Sequence, residues 1–152
     1  MFNSIVVGTD GSERAEKAVE EAAELARISD ATLHLVRAYK GIDQSVAAAM
    51  AAGSMAATPP GLGDASKGEA EAVRAALEEE AGGIRARGIT VEVHARAGSP
   101  VPVLLDVATA FDADVIVIGN RGMTGAKRVL GSVPNTLSHH AECAVLIVPT
   151  GE

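Results

Sequence analysis

The sequence predicts an α/β fold, a doubly wound sheet of five parallel strands, Rossmann-like or flavodoxin-like, in the order 3-2-1-4-5. Three observations carry that expectation. Val115-Ile116-Val117-Ile118 is apolar at every position, and Val145-Leu146-Ile147-Val148 repeats the pattern; strands of this kind are buried under helices on both faces. Such runs alternate with longer segments whose apolar residues recur every three or four positions, the mark of a βαβ series. Hydrophobic residues make up 47% of the chain, yet there is no Trp, one Tyr (Tyr39) and two Phe (Phe2 and Phe111). Val, Ile, Leu and Ala must therefore fill the interior, as they do between a parallel sheet and its helices.

At 152 residues the chain is expected to form one domain, 1–152, burying about two thirds of its unfolded surface without disulfides or structural metal. Cys143 is the sole cysteine, which excludes an internal disulfide. No secretory leader precedes the first apolar run, so a reducing, cytoplasmic setting is expected. No apolar run approaches the ~20 residues that cross a bilayer, so no membrane role is expected. A net charge of −7 opposes binding to nucleic acid. An anionic ligand would need donors arranged locally.

The elements follow in order. Ile5-Val6-Val7 is a short buried strand that ends in Gly8-Thr9-Asp10-Gly11-Ser12. Ala15, Ala18, Val19, Ala22 and Leu25 then recur at helical spacing. Leu33, Leu35 and Val36 mark the second strand, running into Ala38-Tyr39. The stretch 40–67 is rich in Ala, Gly, Pro, Ser and Met without periodicity and reads as a flexible loop. Val73, Leu77, Ala81 and Ile84 mark one face of the second helix, which stops before Gly88, a residue suited to the left-handed turn beyond a helix end. Residues 89–93 are the third strand. Gly98-Ser99-Pro100 supplies a turn, an N-cap and a first-turn proline for a helix marked by Val101, Leu104, Leu105 and Ala108. Val115-Ile116-Val117-Ile118 and Val145-Leu146-Ile147-Val148 are the fourth and fifth strands, and a last helix between them opens at Gly131-Ser132. With right-handed crossovers, the ligand crevice of such a sheet lies at the carboxyl ends of strands one and four, where the winding reverses.

The residues with chemistry to offer sit at those two ends. After strand four come Gly119, Asn120, Arg121, Gly122, Met123, Thr124 and Gly125, then Lys127, Arg128 and, further on, Gly131, Ser132, Val133 and Pro134. Glycines let successive backbone N–H groups converge on a phosphate, and the amides of a helix opening at Ser132 can join them. Arg121, Lys127 and Arg128 add three cations in an acidic chain. At the other end Asp10 has two open roles. Its carboxylate suits a ribose hydroxyl or an adenine amino group, and with Glu13 it has capping-box spacing. Ser12 reads better as a helix cap than as a ligand group.

On these residues the sequence resembles the universal stress protein family. The resemblance rests on Val6-Val7-Gly8-Thr9-Asp10-Gly11-Ser12, on the stretch from Gly119 to Pro134, and on Val145-Leu146-Ile147-Val148-Pro149. It covers nearly the whole chain. It implies the branch that binds ATP through a motif of glycine, two residues, glycine, nine residues, glycine and a hydroxyl residue. Here eight residues, not nine, separate Gly122 from Gly131. By the resemblance Gly8, Thr9, Asp10, Gly11 and Ser12 line base and ribose, and Val36 touches adenine. Gly119, Asn120, Arg121, Gly122, Met123, Thr124 and Gly125 hold ribose and phosphate, and Gly131, Ser132 and Val133 complete the phosphate site. The implied protein is an ATP-binding stress or signalling switch, with Mg²⁺ on the phosphates and a homodimer paired through Val145-Leu146-Ile147-Val148. The shortened span makes cyclic AMP the alternative ligand, since one compact phosphate needs a smaller cradle.

No catalytic set is legible. A kinase, phosphatase or ligase would show a Walker lysine, a carboxylate cluster for metal, or a nucleophile beside its base, which leaves slow ATP hydrolysis as the enzymatic alternative. A phosphoacceptor receiver would need an aspartate after strand three, where His94-Ala95-Arg96-Ala97-Gly98 stands instead. No metal site is expected. His139 and His140, read as lying just past the last helix, point different ways, and no sequence argument joins His34 to His94, which fall on separate strands. Cys143 reads as a small buried hydrophobe, and Glu78-Glu79-Glu80 as a solvated helix face.

Overall fold

The computed structural model describes residues 1–41, 49, 51–53, 62–120 and 132–151. Its elements are β1 (Ser4–Gly8), α1 (Glu13–Ser29), β2 (Thr32–Tyr39), α2 (Leu62–Arg85), β3 (Val91–Ala97), α3 (Pro100–Ala110), β4 (Val115–Gly119), α4 (Ser132–His140) and β5 (Ala144–Val148). The strands form one parallel sheet in the order β3-β2-β1-β4-β5, as the sequence predicts.

Strand alternation divides the core in two. Ile5, Val7, Leu33, Leu35, Val115 and Val117 face α1 and α2, where Ala18, Ala22, Ala26, Leu77, Ala81 and Ile84 meet them. Val6, Val36 and Ile116 point to the opposite face and pack on Val103, Leu104 and Val107 of α3 and Leu137 of α4. The buried face of α1 is mostly alanine, a small residue that lets helix and sheet approach closely. Between β1 and β4 the helices change sides of the sheet, and the connections leaving those strands diverge to open a crevice.

Three local expectations change. The helix over α2 begins at Leu62, inside the stretch read as loop. Residues 62–67 lack an apolar repeat, but adding turns to an anchored helix costs far less than nucleating one. Of the rest of that stretch, 42–48, 50 and 54–61 lie outside the described residues. β3 runs to Ala97, pairing with β2 as far as Tyr39. Backbone pairing extends an edge strand past its apolar part, which is why His94-Ala95-Arg96 hid its length. His139 and His140 form the last turn of α4, where His140 Nδ1 lies 2.9 Å from the Thr136 carbonyl oxygen. Ser99 occupies the N-cap of α3 and the proline after it opens the helix, as expected, although the Ser99 side chain makes no capping hydrogen bond.

Candidate functional site

The loop from β1 to α1 is held by short polar contacts. Thr9 N–H donates to the Val36 carbonyl (2.9 Å), which ties the loop to β2. The Gly11 N–H donates to Thr9 Oγ1 (3.1 Å), and the Ser12 N–H to Asp10 Oδ1 (2.9 Å). Ser12 Oγ in turn accepts from the Ala15 N–H at 3.2 Å and caps α1. The capping-box spacing of Asp10 and Glu13 is therefore not used: Ser12 takes the N-cap, and Asp10 makes an Asx turn one step earlier. Gly11 has φ +78°, the left-handed region that favours glycine. Burial pushes the Asp10 carboxyl upward, but hydrogen bonds from Ser12 and the charge of Arg37 outweigh it and hold the group below its ordinary pKa. Asp10 is thus an anionic acceptor at neutral pH.

At the end of β4 the backbone is held differently. The Asn120 N–H donates to the Val148 carbonyl (2.9 Å), and Asn120 Oδ1 accepts from both the N–H and the hydroxyl of Thr150 at 3.0 Å each. A Cβ on Gly119 would approach Thr150 Cγ2 to 2.8 Å. The chain beyond β5 is in this way latched against the loop that leaves β4.

These two strand ends border a cavity of about 350 Å³, within the range of small-ligand pockets. Its floor is apolar, from Val36 and Ala38 of β2, Ile118 of β4, and Val103 and Leu104 of α3. Its rim is polar, with Thr9, Asp10, Ser12 and Arg14, and Ser132, Val133 and Pro134 present the N-terminal turn of α4. Such a turn offers free N–H groups and a positive dipole end to an anion.

Among the residues singled out from sequence, Gly8, Thr9, Asp10, Ser12, Val36, Gly119, Ser132 and Val133 line the cavity. Gly11 and Asn120 stand beside it in the supporting roles just described. Arg121, Gly122, Met123, Thr124, Gly125, Lys127, Arg128 and Gly131 lie outside the described residues. The cavity also takes in Arg14, Ala38, Pro100, Leu104 and Ile118, which sequence reasoning missed. The signal for Ala38 was present, because it follows Val36 by two along one strand face. Arg14 was legible only as a first-turn residue of α1.

Glu80 departs from the solvated face expected of Glu78-Glu79-Glu80. It is half-buried, and burial followed by the charge of Glu16 raises its pKa. Cys143 is partly buried, and burial raises its thiol pKa, which disfavours the nucleophilic thiolate. No described helix is long and apolar enough to cross a membrane.

The sequence model of the universal stress protein family matches residues 1–149. The chain belongs to this family. Universal stress protein Rv1636 of Mycobacterium tuberculosis (strain ATCC 25618 / H37Rv) is 34% identical over 150 residues, covering 98% of this chain and 97% of the relative. A universal stress protein solved in complex with cAMP is 32% identical at a TM-score of 0.69, covering 99% of this chain and 98% of that one. The universal stress protein of Archaeoglobus fulgidus solved with dAMP is 26% identical at a TM-score of 0.60, covering 95% and 96%.

Proposed function

We propose that the chain binds an adenine nucleotide in the crevice between β1 and β4 and works in the cytoplasm as a ligand-dependent stress-response or signalling switch. The observation that carries this reading is the form of the cavity. An apolar floor suits a purine ring, Asp10 offers an anionic acceptor to ribose or to the adenine amino group, and the α4 N-terminus with Arg14 offers donors to phosphate. The adenine nucleotides bound by two solved family members support the class of ligand. The glycines and cations of 119–131 are assigned to phosphate.

ATP with Mg²⁺ is the preferred ligand, because Arg121, Lys127 and Arg128 carry more charge than one phosphate needs. Cyclic AMP is the second reading. It is favoured by the eight residues between Gly122 and Gly131 and by the relative solved with cAMP. No catalytic residue is assigned, and hydrolysis of ATP is at most slow. Calorimetric titration of both ligands at matched salt and Mg²⁺ tests the choice: cyclic AMP binding tenfold tighter, about 1.4 kcal/mol, overturns ATP. Absence of binding by either ligand overturns the site. Replacing Gly122 or Gly131 by Val is expected to abolish binding with the fold retained.

A further inference from the structure

We propose that His34, Glu92 and His94 form a binding site for a divalent transition-metal ion of the zinc type, separate from the nucleotide crevice. The parallel register of β2 and β3 pairs His34 with Glu92 and Val36 with His94. Residues two apart on a strand share a face, so Glu92 and His94 project on the side of the sheet that His34 uses. Phe111, at the end of α3, closes over both rings, with centroids 4.5 Å from His34 and 4.8 Å from His94. None of the three residues lines the crevice.

The spacing is close to that of a preformed site. His34 Nδ1 lies 3.0 Å from His94 Nε2 and 3.7 Å from Glu92 Oε2, and one ligand atom from each residue falls within 4.8 Å of the others. Two donors on a tetrahedral zinc ion, with bonds of about 2.0–2.1 Å, stand roughly 3.3–3.4 Å apart. The two nitrogens need only separate slightly, and the Glu92 carboxylate needs only to close in. His34 is 3% exposed, while the Glu92 side chain is 52% exposed, so the cluster reaches from the core to the surface on the Glu92 side.

The donor set selects the ion. Two imidazoles and one carboxylate suit Zn²⁺, Co²⁺, Ni²⁺ or Cu²⁺, whereas Mg²⁺ and Ca²⁺ prefer oxygen alone. In the ion-free pair one ring donates an N–H to the other. With the ion bound, that ring carries its proton on its other nitrogen, and no net proton is released. The competing account is a histidine pair that only satisfies a buried nitrogen.

Titration of the chelator-stripped full chain with Co²⁺ and Zn²⁺ decides between them. One ion per chain is expected, with the visible absorption of four-coordinate Co²⁺ and Zn²⁺ displacing it. Glu92→Gln should weaken the ion about tenfold or more, and His94→Leu should abolish binding with an unchanged circular dichroism spectrum. If His94→Leu unfolds, Glu92→Gln, at an exposed side chain, decides alone. The double variant His139→Ala, His140→Ala should bind as the parent does. Absence of saturable one-to-one binding overturns the proposal, as does binding indifferent to Glu92→Gln or abolished by the α4 double variant.

Discussion

Gly119 shows how one residue serves both the fold and the crevice. Its missing Cβ leaves room for Thr150 Cγ2, 2.8 Å from where that atom would stand. Thr150 cannot swing aside, because it is buried, β-branched and doubly bonded to Asn120 Oδ1. Gly119→Ala is therefore expected to cost about 1–3 kcal/mol and to weaken nucleotide binding. Adding Thr150→Ala removes the clashing methyl and should recover part of the loss, a non-additivity that chemical denaturation of the parent, both single variants and the double variant measures. Asp114 is a second such point, since its Oδ2 accepts from the N–H groups of Asn3 (2.6 Å) and Ser4 (3.0 Å) and ties down the start of β1. Those two bonds, Asn3 first, hold its pKa below the ordinary value. The unfolded chain then takes up the proton first as pH falls. The stability from Asp114 is present above the ordinary aspartate value of about 3.9 and is lost as pH drops through the lowered folded value. Asp114→Asn should flatten the acid limb of a melting-temperature profile; an unchanged slope would contradict the role.

At the scale of elements, the legible parts are those where local pattern and tertiary environment agree. β1 and β4 could be read because they are buried on both faces, and α1 because its apolar spacing is regular. β3 was cut short because it is an edge strand whose second half carries His94 and Arg96, and its true end is set by pairing with Tyr39. The start of α1 was ambiguous between Asp10 and Ser12, since both are good caps and spacing alone does not choose. The structure gives the cap to Ser12, and Ser12→Ala is expected to cost about 1 kcal/mol, within a 0.5–2 range. The same change frees the Ala15 N–H at the cavity rim. Thermal unfolding should report the loss, while a variant as stable as the parent would mean that the Asx turn at Asp10 organises this end alone.

On the whole molecule, sequence reasoning reached the strand order because an alternating βα series with right-handed crossovers leaves few arrangements. It reached about half of the cavity lining, chiefly the loop after β1 and the opening of α4. Much of the rest comes from α3 and from Arg14, whose position depends on how helices settle on the sheet, and from Ala38 and Ile118, whose strand faces border the crevice only once the sheet is assembled. The meeting of His34 with His94 was out of reach for the same reason: inter-strand register is a property of the assembled sheet, not of either segment. Self-association belongs to this scale as well. β5 is an edge strand paired on one side only, with β4, and an unpaired edge presents a row of free backbone groups to a second copy. Leu146 at its centre is 41% exposed, one of few large apolar side chains so placed among the described residues. Val145, on the opposite face, packs against the apolar cluster beneath α3 and α4, so a charge there would disturb the core as well as the edge. Leu146→Lys is the cleaner probe, because it adds a charge to the exposed side and leaves the core intact. Sedimentation at micromolar concentration is expected to show a dimer for the parent and a shift toward monomer for Leu146→Lys, with unchanged circular dichroism. A parent that sediments as a monomer would sink the β5 pairing, and a dimer indifferent to Leu146→Lys would move the contact to another face.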